Sequence, residues 1–155
     1  MNLNRRKAIA MTRKEELSFL QNGGTLCVAT KGPHGFPHLS AMWYWMVDDR
    51  IHFNTYRKSQ KTVNLQRDPQ ISCMLEKGRT YETLRGLVVQ GTGHIIDDPE
   101  QIRDIHRHRL PAKSGNPLDS LSVERRKAIA AKRIVVRVEP KKIYSWDHHK
   151  LGGRY

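Results

Sequence analysis

The chain has 155 residues, of which 37% are hydrophobic and 28% are charged. This composition fits one folded domain and excludes the disordered and fibrous classes. The formal net charge of +13 requires either an anionic partner or a well-solvated cationic surface. No apolar run approaches the roughly 20 residues that span a bilayer, and no signal-peptide segment follows the basic N-terminus. We therefore expect a cytoplasmic protein that does not enter a membrane.

Nucleic acid is not the expected partner, because the basic residues are scattered and no helix-turn-helix, zinc-finger or aromatic RNA-binding pattern is present. Cys27 and Cys73 lie in apolar, strand-like runs and are predicted to be buried, reduced thiols. The histidine pairs 106/108 and 148/149 lack metal-ligand spacing. No metal site is predicted.

The first elements are a basic arm, a helix and a strand. Residues 1–11 are predicted to be an N-terminal arm outside a single domain at 12–155. Thr12 and Glu15 have capping-box spacing, so a helix should run from about 12 to 21 and end at Asn22-Gly23-Gly24. Residues 25–30 then form a predicted strand, and residues 31–35 a turn.

Residues 37–47 alternate strictly and predict one strand with two different faces. One face carries Leu39, Ala41, Trp43, Trp45 and Val47. The other carries His38, Ser40, Met42, Tyr44 and Met46. Asp48 and Asp49 predict a tight hairpin into a strand at 51–55.

Further strands are predicted at 70–76, 86–96 and 133–139, with helices at 59–67, about 99–110 and about 123–131, and a loop at 111–121. About six antiparallel strands with peripheral helices indicate a mainly β (α+β) fold. A barrel is favoured, because closure removes exposed sheet edges. The hexapeptide at 5–10 recurs at 125–130, and we interpret this as coincidence because nothing around it repeats.

Residues 53–61 have the composition of an anion site, since a strand end meets a helix start with three cations and two hydroxyl groups. Ser59 is placed as an N-cap, and the positive end of the helix dipole adds to Arg57, Lys58 and Lys61. Thr55 supplies the second hydroxyl group. A phosphate would satisfy all of these groups, although a solvated basic turn would have the same composition.

At this segment the sequence resembles the split-barrel flavin and deazaflavin proteins related to pyridoxamine 5′-phosphate oxidase. The resemblance extends over the turn at 31–35, Pro37-His38 with 42–44, 53–55 with Ser59 and Lys61, Asp68-Pro69, and 86–93. The ending at 145–153 resembles the branch that uses the deazaflavin coenzyme F420. The resemblance implies a split β-barrel of the FMN-binding type.

In such proteins the cofactor lies in a groove between two protomers. The resemblance implies that its phosphate is held by Thr55, Arg57, Lys58, Ser59 and Lys61. Its ring would lie near His38, Ser40, Met42 and Trp43, and the C-terminal segment with Trp146 and Lys150 would help to cover it. Alternatively, His38, Ser40 and Met42 form an ordinary solvent-facing or interface stripe.

The expected function is that of an F420-dependent oxidoreductase, a homodimer that transfers hydride to a small unsaturated organic substrate. FMN is the alternative cofactor, because it shares the ring, ribityl chain and phosphate. The extra cations favour the deazaflavin, whose tail carries carboxylates. Catalytic residues are not assigned beyond Tyr44 and His38 as proton-donor candidates. The arginine motifs of pyridoxamine-phosphate oxidases proper are missing, so oxidation of that vitamin is not expected. A cofactor-binding protein without turnover and a basic nucleic-acid-binding domain are the rival interpretations.

Overall fold

A computed structural model describes residues 5–108 and 120–153. Over these ranges the helices are α1 (Arg5–Ile9), α2 (Arg13–Gln21), α3 (Gln60–Arg67), α4 (Pro99–Arg107) and α5 (Val123–Ala131). The strands are β1 (Leu26–Lys31), β2 (Pro37–Met42), β3 (Trp45–Val47), β4 (Arg50–Tyr56), β5 (Gln70–Lys77), β6 (Arg85–Ile96) and β7 (Arg133–Asp147). Short 3-10 turns lie at Tyr81–Thr83 and His148–Leu151.

The strands form one curled antiparallel sheet in the order β2-β1-β5-β6-β7-β4-β3. The predicted split-barrel α+β fold is confirmed, with seven strands where about six were expected. Side chains on the inner side of the curl form the main core, which includes Leu26, Val28, Phe53, Leu75 and Val136. Phe19 and Leu20 of α2 close this core from one end.

The outer side of the sheet divides into a covered half and an open half. Helix α4 covers one half, where Ile102 and Ile105 pack on Trp45, Ile96 and Val135. Strand pairing aligns an outer row across five strands on the other half, made of Ala41, Cys27, Met74, Val88 and Tyr144. No helix in the described ranges covers this row, and Met74 and Tyr144 are 41% and 45% exposed.

The prediction of one strand over residues 37–47 is wrong, because the chain leaves the sheet at Trp43 and Tyr44. The Tyr44 hydroxyl donates to the Leu20 carbonyl oxygen of α2 at 2.5 Å, which draws this residue toward the helix. Trp43 is left 75% exposed, and Leu39 on the same face is 62% exposed. The face that ends in Met42, Tyr44 and Met46 packs on the main core instead.

The last strand is longer than predicted and runs to Asp147 instead of ending at residue 139. A bulge between Gln90 and Gly91 lets the ladder continue past Pro140, which has no N–H to donate. Gly91 is required there, because a Cβ would lie 2.0 Å from the Glu139 carbonyl oxygen.

The N-terminal segment is attached to the body where a separate arm was expected. Residues 5–9 form α1, and Met11 is buried in the main core. The Lys150 ammonium donates to the Ala10 carbonyl oxygen at 2.8 Å and to Glu15 Oε2 at 2.7 Å. Both copies of the repeated hexapeptide lie largely in helices, α1 and α5.

Local sequence patterns place most other elements correctly. The Thr12/Glu15 capping box is present at the start of α2, and the remaining predicted helices and strands lie within a few residues of their expected bounds. Asp48 and Asp49 have φ of 48° and 59°, as a two-residue type I′ hairpin turn requires. The loop predicted at 111–121 and the end of the helix predicted at 99–110 lie mostly outside the described residues.

Both cysteines are free, with Cys73 buried and Cys27 partly buried. Burial raises the pKa of Cys73 to about 12, so this thiol stays protonated and unreactive. None of the helices in the described part of the chain is long and apolar enough to cross a membrane.

The contact between Glu15 and Lys150 predicts a pH-dependent stability. Lys150 and the Thr12 cap lower the pKa of Glu15 from 4.5 to about 2. The charged pair therefore stabilises the fold above about pH 4.5, and this contribution is lost as the pH falls toward 2. Glu15→Gln keeps a side chain that can bond the Thr12 N–H but removes the charge. We expect it to lower the melting temperature at pH 7, with a difference that shrinks below pH 4.5.

Melting curves followed by circular dichroism between pH 3 and 8 measure this difference. Glu76→Gln is the matched control, because Glu76 is exposed and has no ion pair among the described residues. A pH-independent loss in Glu15→Gln would show that its charge does not stabilise the attachment.

Candidate functional site

Strand β4 turns into α3 through a chain of hydroxyl groups. The Thr62 hydroxyl donates to the Tyr56 carbonyl oxygen at 2.9 Å, so it accepts from Ser59 Oγ at 3.0 Å. Ser59 Oγ in turn lies 3.0 Å from Thr55 Oγ1, and Lys61 Nζ lies 3.4 Å from that same Thr55 oxygen. One consistent direction therefore runs from the Lys61 ammonium through three hydroxyl groups to a carbonyl.

This series of hydrogen-bonded hydroxyl groups fixes the start of α3. Ser59 is the N-cap, with extended backbone angles, and its oxygen also accepts the Thr62 backbone N–H. Helix starts carry unpaired backbone N–H groups and the positive end of the helix dipole. The predicted N-cap is thus present, and the turn presents the positive end of an eight-residue helix.

Lys61 is the cation that this arrangement holds in place. Its side chain is half-buried, and desolvation lowers its pKa. No carboxylate pairs with it in the described ranges. It also lies in the first turn of α3, where a positive charge is unfavourable unless an anion is bound nearby. Two of its three N–H donors remain for a ligand.

The other two predicted cations are placed differently. Arg57 forms an ion pair with Asp97 at 2.5 Å, and its backbone N–H donates to the Lys132 carbonyl oxygen. Lys58 is exposed, without an ion pair among the residues described. Thr55, Ser59 and Lys61 therefore come together, whereas the Arg57 side chain is directed to the end of β6.

On β2, His38 Nδ1 and Ser40 Oγ are buried polar atoms without a hydrogen-bond partner in the described structure. His38 pairs with Thr30 of β1, whose Oγ1 accepts from Asn64 Nδ2 of α3 at 3.0 Å. Cross-strand neighbours share a face, so His38 lies on the side of the sheet that packs on α3. Buried polar atoms are nearly always paired, so these two have capacity left for a polar ligand or an ordered water. The residues therefore fit a bound phosphate-bearing group with a polar ring.

The other predicted site residues are not all on this inner side. Met42 packs on the main core. Trp43 and Trp146 lie on the outer side. The Trp146 ring covers Gly86 so closely that a Cβ added to Gly86 would lie 2.2 Å from the ring. Lys150 bonds Ala10 and Glu15 instead. The Tyr44 hydroxyl is used by Leu20, and burial raises its pKa to about 12.

Three polar residues that build this region were not predicted from the sequence, namely Thr62, Thr30 and Asn64. Each is buried and hydrogen-bonded to a residue of the junction or of a neighbouring strand. Thr62 was detectable, because it stands three residues after the Ser59 cap. Nothing in the local sequence indicates the contact between Asn64 and Thr30, which are 34 residues apart. Among the described residues, no three His, Cys, Asp or Glu side chains cluster closely enough to hold a metal ion.

Several solved structures resemble this chain. A conserved hypothetical protein from Mycobacterium tuberculosis is 37% identical, covers 98% of this chain and 94% of its own, and has a TM-score of 0.80. An F420 reductase is 22% identical, with coverages of 81% and 93% and a TM-score of 0.55. An FAD-binding protein from Mycobacterium smegmatis is 14% identical, with coverages of 88% and 96% and a TM-score of 0.63. The last two likenesses concern the fold alone.

No curated protein matches the sequence. Residues 12–147 match the family described as pyridoxamine 5′-phosphate oxidase. The match spans the junction of β4 and α3, the inner face of β2 and every strand of the sheet. The chain therefore belongs to the pyridoxamine 5′-phosphate oxidase family of split-barrel proteins.

Proposed function

We propose that the chain is an F420-dependent oxidoreductase that transfers a hydride between the deazaflavin and a small unsaturated organic substrate. The main support is the environment of Lys61. This half-buried cation is held at the start of a helix and has no carboxylate partner in the described structure. A family of flavin-type oxidoreductases makes a cofactor phosphate the natural anion for this position. When bound, the deazaflavin supplies the hydride chemistry, and the protein orients it and excludes water.

Lys61 is the direct phosphate contact in this proposal. The hydroxyl hydrogens of Thr55 and Ser59 are already donated to the next hydroxyl group in the series. These two residues therefore act mainly by holding Lys61 and the helix start in place. Lys58 is exposed and adds a second charge. Arg57 contributes by leaving Asp97 for the anion, an exchange that costs little because both side chains are exposed.

The ring of the cofactor lies against the inner side of β2 in this proposal. His38 Nδ1 and Ser40 Oγ then gain the partners that they lack in the described structure. His38 is a better proton donor than Tyr44, because the Tyr44 hydroxyl already donates to Leu20 and its pKa is raised to about 12. A proton that follows the hydride would come from His38.

The choice of F420 over FMN depends on the cations beside the junction. Arg133 pairs with Tyr56 across β4 and β7, and its guanidinium lies 5.3 Å from the tyrosine ring centroid. Lys132 adjoins Arg57 through a backbone hydrogen bond. Together with Lys58 these charges suit the carboxylate-bearing tail of the deazaflavin, which FMN does not have. An FMN-dependent oxidoreductase and a cofactor-binding protein without turnover are the alternatives.

Removing the charge of Lys61 should weaken cofactor binding more than any other single change at the junction. A charge-assisted contact to phosphate is worth about 1.5–3 kcal/mol, so Lys61→Ala should raise the dissociation constant for F420 about ten- to a hundredfold. Thr55→Val removes the oxygen that holds Lys61 and should have a smaller effect in the same direction. Quenching of tryptophan fluorescence during titration with F420 and with FMN measures both constants.

Lys14→Ala is the matched control, because Lys14 is an exposed cation on α2 outside the junction. Circular dichroism establishes that each variant is folded. Equal dissociation constants for Lys61→Ala and Lys14→Ala would refute the phosphate site. Tighter binding of FMN than of F420 by the wild-type protein would favour the FMN alternative.

We also propose that two copies of the chain form a homodimer through the open half of the outer face. The row of Ala41, Cys27, Met74, Val88 and Tyr144 is a continuous apolar strip, and the exposed Leu39 and Trp43 lie on the same side. An apolar strip of this length on a protein surface is typical of a protein–protein interface.

A charge in the middle of this strip should separate the copies. The wild-type chain should sediment at twice the chain mass at micromolar concentration, and Met74→Arg should sediment as a monomer, because burial of an unpaired guanidinium is strongly unfavourable. Gln101→Arg adds the same charge at an exposed position of α4 and should leave the dimer intact. A monomeric wild-type protein, even with F420 bound, would refute this interface.

A further inference from the structure

A cavity lies on the outer side of the sheet, between α4 and the hairpin of β3 and β4. Its volume is about 150 Å³, and its lining includes Val47, His52, Ile105 and Arg137. It is distinct from the phosphate site, because His52 and Thr55 are three residues apart on β4, about 10 Å, and point to opposite faces. Flavin-sized ligands need pockets of roughly 300 Å³ or more, so this cavity suits a much smaller molecule.

Two arginines line this cavity, Arg50 and Arg137, and Arg137 has no ion pair among the described residues. Its Nε is buried and has no hydrogen-bond partner within residues 5–108 and 120–153. The neighbouring Arg50 is already satisfied, with Glu139 Oε2 at 2.7 Å and the Asp48 carbonyl oxygen at 3.2 Å. Glu139 is thereby engaged by Arg50 and not by Arg137. A buried Nε–H group without a partner in the protein requires an acceptor from a ligand or from ordered water.

His52 adds a fixed polar group beside Arg137, with which it pairs across β4 and β7. It is only 3% exposed, and its ring stacks on Trp45 with centroids 6.2 Å apart. Its Nδ1 lies 3.0 Å from the Arg50 carbonyl oxygen, which can only accept, so Nδ1 carries the hydrogen. Burial, and to a lesser extent Arg137, lower the pKa of His52 and favour the neutral ring. The positive charge of the cavity wall is therefore centred on the guanidinium groups.

We propose that this cavity binds a small monocarboxylate, with the guanidinium of Arg137 holding the two carboxylate oxygens. A planar fork of N–H donors matches a carboxylate in a bidentate manner. Val47 and Ile105 offer apolar walls for a short hydrocarbon chain. Asp48 and Asp104 also line the cavity, so a doubly charged anion such as phosphate is repelled more strongly than a monoanion.

Propionate tests this assignment on the full-length wild-type chain. In a ¹H–¹⁵N spectrum that resolves arginine Nε–H groups, the Arg137 resonance should shift with saturation in the millimolar range as propionate replaces chloride at constant ionic strength. The Nε–H groups of Arg85 and Arg133 lie outside the cavity lining and serve as internal controls. A linear drift shared by all three arginines, or equal saturation with inorganic phosphate, would overturn the proposal.

A pair of variants gives an independent measurement. Arg137→Met keeps a long side chain but removes the donors. This variant should need at least about tenfold more propionate than the wild type for the same rise in melting temperature. Arg133→Met is the matched control, because Arg133 lies on the same strand and face, four residues away and beside Tyr56. An unchanged response in a folded Arg137→Met would contradict the site. If that variant does not fold, the wild-type spectrum still decides.

Discussion

The turn from β4 into α3 depends on a hydrogen-bonded chain of three hydroxyl groups. Because the Thr62 hydroxyl donates to the Tyr56 carbonyl oxygen, Ser59 and Thr55 each have one remaining way to orient their hydrogens. That order leaves the Thr55 oxygen as an acceptor for Lys61. The position of Lys61 therefore depends, through three hydroxyl groups, on the backbone carbonyl of Tyr56. The same hydroxyl groups fix the start of α3. A preorganised anion site needs this kind of support behind its charged residue.

Strand alternation then assigns the rest of the protein to two sides of one sheet. The inner side carries the core, the hydroxyl chain and the unpaired atoms of His38 and Ser40. The outer side carries an apolar strip on one half and, on the other, a helix over a cavity that contains Arg137. Since a register slip of one residue would exchange the two sides, the pairing of β1 with β2 is as important for function as for folding.

Elements with strong local patterns were predictable from the sequence. The capping box at Thr12, the N-cap at Ser59 and the Asp48-Asp49 hairpin each depend on residues that lie within four positions of one another. The N-terminal segment and the long last strand were harder to predict, because their structure comes from distant contacts. Residues 5–9 gain their helix position from packing near the C-terminal turn, and the ladder passes Pro140 only because Gly91 faces it.

The same distinction separates the predictable and unpredictable parts of the site. The cluster of Thr55, Ser59 and Lys61 was visible as a pattern, because its members are local. The diversion of Arg57 to Asp97 and of Lys150 to Glu15 could not be read from the sequence, since those partners are 40 and 135 residues away. The break at Trp43 has the same origin, because alternation continues through it and only the bond from Tyr44 to α2 interrupts the strand.

A crystal structure of the full chain grown with F420 tests the central claim most directly. We expect density for the cofactor phosphate against Lys61 and the start of α3, with the deazaflavin ring on the inner side of β2 beside His38 and Ser40. A cofactor bound elsewhere, with Lys61 in contact only with Thr55 and solvent, would contradict the account.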